Sequence, residues 1–312
     1  SGRFGKAGLA VRNGFFAAYY AHQNSQKPQV RIYDVGTSLD KIPSIYQQAV
    51  QIGAQIIIGP LDKNAISKLA EHPQILSIPT LALNYTQTDT SELPNLFQFG
   101  LAAEDEARQV AERAWLNGFK KAVAIVPRND FGQRVLSAFK EYFHQVDGNL
   151  LEDQFYDAEK SDYSLPLRQL LNIDESEERY VNIKNLTSEP IEFTPRRRQD
   201  VDFIFMLAFP RQARLLQPQL KFHYASDIPI FATSHVYEGK PNRNADRDMD
   251  GISFCDIPWI LKPEMARELQ AVLASNSSDF NNYRRFYALG IDAYQLIANN
   301  GLPTGPEISR LA

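Results

Sequence analysis

VRIYDV (30–35), IPSIYQQAVQI (42–52), III (56–58), DKNAISKLA (62–70) and TLAL (80–83) follow one another with almost nothing between them. Read in order they predict strand, helix, strand, helix, strand. The short runs are apolar at consecutive positions, whereas a half-exposed antiparallel strand would alternate apolar with polar. Strands covered on both faces and separated by helices belong to a parallel sheet, so the fold class is α/β.

Working outward, a second series of the same kind starts after Phe97-Gln98-Phe99-Gly100. A helix is expected over 104–117, opened by Glu104, Asp105 and Glu106 at the positive end of its dipole and carrying Ala107, Val110, Ala111, Ala114 and Trp115 on one face. Strands 122–126, 150–156, 201–207 and 228–232 alternate with helices 131–146 and 210–222, and a last helix spans 282–300. The expectation is two doubly wound parallel-sheet lobes joined by hinge strands: lobe 1 from 1–99 and 251–312, lobe 2 from 100–250. The segment 174–199, with an acidic run and the triplet Arg196, Arg197, Arg198, reads as a solvated surface insertion.

Composition narrows the function. The 312 residues are 44% hydrophobic and 22% charged, the profile of a folded globular chain. A net charge of -4 supplies no general attraction to nucleic acid, and no apolar run approaches the ~20 residues that cross a bilayer. The single cysteine, Cys255, excludes an internal disulfide, and the five histidines stand singly, so no metal centre or cofactor is expected. Asp246-Arg247-Asp248-Met249-Asp250-Gly251 imitates the first half of a calcium loop, but Ile257 stands where the bidentate carboxylate is needed. No nucleophile elbow, phosphate loop or zinc motif occurs, which argues against an enzyme. The opening Ser1-Gly2-Arg3-Phe4-Gly5 is loop-like and has no leader before it, so the chain reads as a fragment.

In open parallel sheets ligands sit beyond the carboxyl ends of the strands. That rule selects Asn84, Tyr85, Asn129, Phe131, Phe209, Ser234 and His235, with Arg3 from the opening loop, as candidates to line a common groove.

Several segments resemble the type I periplasmic binding-protein fold. They are Ser1-Gly2 with Phe4-Gly5, the run from Gly53 to Leu61, Asn129-Asp130-Phe131-Gly132-Gln133, and Asp292-Ala293-Tyr294. The stretches 197–208, 232–237 and 254–259 are similar more narrowly to the C-terminal domain of the LpoA family. This resemblance implies a non-enzymatic periplasmic regulator that activates a class A penicillin-binding protein, a peptidoglycan synthase. It also implies a lipid anchor outside this fragment, tethering the full-length protein to the inner face of the outer membrane. Arg196, Arg197 and Arg198 are the candidate partner contacts. The alternative is a receptor holding a small solute or cell-wall fragment; Tyr85, standing where amino-acid receptors of this fold place a small hydroxyl residue, would fill part of such a site.

Overall fold

The structure, a computed structural model, describes residues 4–23, 27–86, 88–187, 190–276 and 278–300. Along the chain come α1 Gly5–Ala21, α2 Ile42–Gln51, β1 Ile57–Ile58, α3 Lys63–Ala70, β2 Thr80–Ala82, β3 Leu96–Gln98, α4 Ala103–Leu116, β4 Lys121–Pro127, α5 Asp130–Gln145, β5 Asn149–Tyr156, α6 Ser164–Leu170 and α7 Ile173–Leu186. There follow β6 Phe203–Met206, α8 Pro210–Phe222, β7 Ile230–Ala232, α9 Arg243–Asp246, β8 Ile252–Phe254, α10 Pro258–Leu261, α11 Arg267–Asn276 and α12 Arg284–Asn300. Two units divide them: Ser1–Ala102 with Ile257–Ala312, and Ala103–Asp256.

In the first unit β1, β2 and β3 form a parallel sheet in that order, with Thr80 opposite both Ile57 and Leu96. Asp62 caps α3 by accepting the Asn64 N–H at 2.8 Å, a polar start that the sequence DKNA advertises. Residues 30–35, expected as a strand, form none. Val30 and Ile32 are exposed, and among the described residues no neighbouring strand offers them a ladder, without which an apolar run has nothing to pair with.

The second unit is one five-stranded parallel sheet in the order β5-β4-β6-β7-β8. Its inner strands β4, β6 and β7 are apolar at successive positions because both faces are covered. Val123, Ile125, Ile204 and Met206 pack into one cluster with Leu167 of α6 and Leu216 of α8. Ala122, Ala124, Val126, Phe203 and Phe205 point the other way, into a cluster with Val110 of α4 and Phe139 of α5. Strand β8 pairs with β7, Ile252 opposite Ile230, and therefore belongs to this unit. A boundary at 250/251 would have given that strand to the first unit; the ladder hydrogen bonds decide otherwise.

The segment 174–199 is exposed over most of its described length, as expected of a surface insertion, and the structure adds where it is fastened. Its first half is a helix, α7, of which Ser176 and the preceding Ile173 are buried. Ser176 Oγ accepts the Arg196 N–H at 3.1 Å, and Arg198 N–H donates to the Leu171 carbonyl at 2.8 Å. These two bonds fasten the returning chain beside the start of α7.

His223, at the end of α8, is buried with its Nε2 unpartnered. Burial, reinforced by the Arg168 charge and opposed by Asp162, holds its pKa below the ordinary value of 6.5. A base held neutral in the folded state takes up its proton more readily when unfolded. The stability it contributes is thus complete above about pH 6.5 and declines as the pH falls below it. Urea unfolding of the wild type between pH 7 and 5 is expected to show this decline, with a shallower slope in His223→Gln; equal slopes would mean that His223 does not carry the dependence.

Candidate functional site

Chain topology places the candidate residues of the second unit. From β4 the chain crosses to β5 on one side, then returns past β4 to β6 on the other, so the strand order reverses between β4 and β6. Beyond the carboxyl ends of two strands that diverge in this way lies a crevice, because the connecting loops leave in opposite directions. Asn129 and Phe131 follow β4, and Phe209 follows β6.

The sheet brings the rings of Phe131 and Phe209 together with that of His235, which follows β7. Ring centroids of Phe131 and Phe209 are 6.1 Å apart, those of Phe131 and His235 5.3 Å, and those of Phe209 and His235 5.7 Å. Phe209 is exposed and the other two are half-buried, with Phe131 packed against the α5-side core, so the cluster opens to solvent at the edge of that core. Asn129 spends its carboxamide oxygen on the Gly132 N–H at 2.8 Å, capping α5.

Ser234 is buried and serves a structural end. Its backbone N–H and its hydroxyl both donate to the Glu106 carboxylate, at 2.7 and 2.8 Å, and His235 Nδ1 lies 3.6 Å from the same carboxylate and 3.2 Å from Thr233 Oγ1. Glu106 thus orients the turn that carries the imidazole. The sequence marks it only as one of three acids opening a helix; its real partner is 128 residues away. Cys255 also lies beside Glu106, its Sγ 3.9 Å from the Glu106 carbonyl oxygen. Burial, with the Glu106 charge added, pushes its thiol up to about 12, so it stays protonated. Alkylation of Cys255 by iodoacetamide at pH 8 is expected to be slow in the native protein and rapid in urea, followed by mass spectrometry; equal rates would contradict the buried thiol.

Asn84 and Tyr85 lie in the first unit, after β2. Asn84 Nδ2 donates to the Leu61 carbonyl at 3.0 Å and its Oδ1 accepts the Tyr85 N–H at 3.0 Å, a closed local turn. Arg3 lies outside the described residues. Of the arginine triplet, Arg196 is exposed, but the side chains of Arg197 and Arg198 are only 10% and 11% exposed and are tied to Asp227 and Asp200. A free basic patch is not what the triplet forms, because each guanidinium of that pair is already neutralised within the chain.

Asp246 of the calcium-loop imitation is likewise committed, to Arg214 Nη2 at 3.2 Å and the Asn242 N–H at 2.7 Å. Among the described residues no group of three or more His, Cys, Asp or Glu side chains could hold a metal ion, and no helix is long and apolar enough to cross a membrane.

Two parallel α/β units, the second with a strand-order reversal and an open ring cluster at its strand ends, define a periplasmic binding-protein-like α/β protein. A putative branched-chain amino acid ABC transporter from Chromobacterium violaceum shares this fold at a TM-score of 0.62 and 25% identity, over 95% of this chain and 83% of that one. The chain belongs to the LppC putative lipoprotein family, whose model matches residues 1–303. It is similar to penicillin-binding protein activator LpoA of Photobacterium profundum, 29% identical over 309 residues, and to that of Vibrio vulnificus, 28% identical over 309. Those alignments cover 97% and 96% of this chain but 49% of each relative, so the chain spans about half the length of the curated relatives it matches. The C-domain of LpoA from Haemophilus influenzae, described as a regulator of PBP1A, superposes with a TM-score of 0.72 at 25% identity, over 95% of this chain and 82% of that one.

Proposed function

We propose that this chain is the regulatory part of an envelope lipoprotein that activates a class A penicillin-binding protein by direct contact, without turning over a substrate. The observation that carries the reading is the likeness, across 95% of the chain, to a domain described as a regulator of PBP1A. The chemistry of the strand ends supports the absence of turnover: the Ser234 hydroxyl is buried against Glu106, and Cys255 is held as the thiol. Activation then arises from tighter binding to the active state of the synthase than to its resting state, since a partner that binds both equally shifts nothing. The family's lipoprotein character supports a periplasmic location, with the full-length protein tethered by lipid to the inner face of the outer membrane.

The test is the rate of peptidoglycan synthesis by a purified class A penicillin-binding protein with and without the whole protein. Stimulation is expected, and an unchanged rate, or glycan cleavage or transfer by the protein alone, would refute the reading. The ring cluster of Phe131, Phe209 and His235 supports a second binding role, for a small solute or cell-wall fragment. Calorimetric titration with muropeptides should then release heat with the wild type and much less with Phe209→Ser.

A further inference from the structure

The five-stranded sheet ends on one side at β5, and among the described residues no strand pairs with its outer side. At eight residues β5 is long for an edge, whereas the opposite edge, β8, has three. Its register against β4 shifts once, where Leu150 faces Ala122 but Glu152 faces Val123, so Leu151 is the extra residue of a bulge. From Glu152 to Tyr156 the pairing is regular. The Tyr156 carbonyl accepts the Arg128 N–H at 2.8 Å, inside the ladder. Backbone groups of successive strand residues point to opposite sides, so those of Gln154 and Glu152 also face β4, while those of Asp153 and Phe155 face outward. Arg128 Nη2 donates to the Phe155 carbonyl at 3.2 Å, as suits a carbonyl off the ladder, and closes the far end of the edge. Between the bulge and that point lie the Asp153 N–H and carbonyl and the Phe155 N–H. Lys and Pro, which commonly blunt such edges, do not occur in NLLEDQFY, and the bulge protects only its beginning.

The side chains of this stretch select what can pair with it. Glu152 and Asp153 stand on opposite faces of the strand, and the Glu152 carboxylate accepts the Gln154 amide N–H at 2.9 Å on its own face. Arg198, which senses the Glu152 charge, is itself paired with Asp200, and Arg128 places its positive charge at the far end of the edge. A second copy of β5, paired antiparallel so as to use both outward groups of Asp153, would set Asp153 opposite Asp153, and like charges directly opposite are destabilising. A strand with a cation at that position gains where a second copy loses. We propose that the outer edge of β5 receives an extended segment of the penicillin-binding protein as a sixth strand, held by main-chain hydrogen bonds to Asp153 and Phe155 and selected by a Lys or Arg opposite Glu152 and Asp153. This rests on the activator reading above, which supplies the partner.

The experiment measures binding of the whole protein to purified synthase at low and high salt, with thermal midpoints alongside. Asp153→Pro removes an outward N–H and leaves the ladder to β4 intact, so it is expected to melt close to wild type and to lose about tenfold in affinity. Gln154→Pro, one residue on, removes an inward N–H and is expected to melt well below both; equal midpoints of the two proline variants would overturn the assignment of the free edge. Glu152→Lys/Asp153→Lys keeps every backbone donor and is expected to lose as much affinity at low salt and less at high salt, where wild-type binding itself weakens. Hydrogen exchange of the Asp153 and Phe155 amides should slow in the complex, and unchanged exchange there would refute the added strand. Wild-type binding with unchanged affinity in Asp153→Pro and in the charge-reversed variant would overturn the docking edge and leave the activator reading standing. An absence of wild-type binding would overturn the activator reading itself, and the docking edge with it. If both variants lost affinity and melted well below wild type, the strand would be structural and the docking edge would fall. A wild-type dimer in sedimentation that Asp153→Pro abolishes, with synthase affinity unchanged, would assign the edge to a second copy instead.

Discussion

Phe205→Ala is expected to lower the unfolding free energy by about 3–5 kcal/mol, the range for emptying a fully enclosed aromatic site. The ring is wholly buried in the middle of β6 and stacks flat on Phe139 of α5, centroids 4.1 Å apart and planes 2° from parallel. Phe139 in turn stacks on Phe143 at 5.3 Å and meets Phe203 edge-on at 6.2 Å. Removing Phe205 leaves a void bounded by the sheet on one side and α5 on the other. Neither can collapse into it without breaking the β4–β6 ladder, in which Ala124 faces Phe205. Urea unfolding followed by circular dichroism measures the loss; a change below about 1 kcal/mol would mean that the site closes up freely. Because β6 leads directly into Phe209, the same variant should also loosen the ring cluster at the strand ends.

The second large effect is expected in the first unit, where α1 and α12 meet backbone to backbone. A Cβ at Gly290 would stand 1.9 Å from the Val11 carbonyl oxygen and 2.8 Å from the Phe15 nitrogen, and one at Gly14 would stand 2.0 Å from the Tyr287 carbonyl oxygen. Each helix therefore supplies a glycine where the other's main chain passes. Gly290→Val gains a few tenths of a kcal/mol in helix propensity. It must force the helices apart through the cluster of Phe15, Phe280, Tyr287 and Tyr294, at a net loss of about 3 kcal/mol. Gly8→Ala, on the facing helix α1, is the control. A Cβ there meets nothing within 4 Å, so that variant should be neutral or more stable by up to about 1 kcal/mol. Thermal unfolding of the two variants side by side decides the matter, and equal midpoints would refute the close helix contact.

Much of the candidate site was legible from strand order along the chain. The rule that loops after parallel strands line a crevice selected Asn129, Phe131, Phe209 and His235, and the sheet does gather the rings of the last three. Glu106 was missed because the acids of a helix's first turn have a sufficient local explanation, and only packing carries this one to Ser234. The arginine triplet was misread for the opposite reason: three adjacent cations look solvated in sequence, and the aspartates that neutralise two of them, Asp200 and Asp227, acquire that role only when the chain folds back.

What the sequence determined by itself is periodic and local. Apolar runs at consecutive positions require strands covered on both faces, and helical spacing supplies the covers, so the parallel α/β class and most element positions follow from single-segment patterns. Tertiary structure alone decided the order β5-β4-β6-β7-β8, hence the crevice beside β4, and the membership of β8 in the second sheet. It also decided that VRIYDV, whose Val and Ile residues are interrupted by Arg31 and Asp34, forms no strand. A strand exists only through its ladder, and hydrogen bonds to a distant segment leave no trace in the pattern of the segment itself.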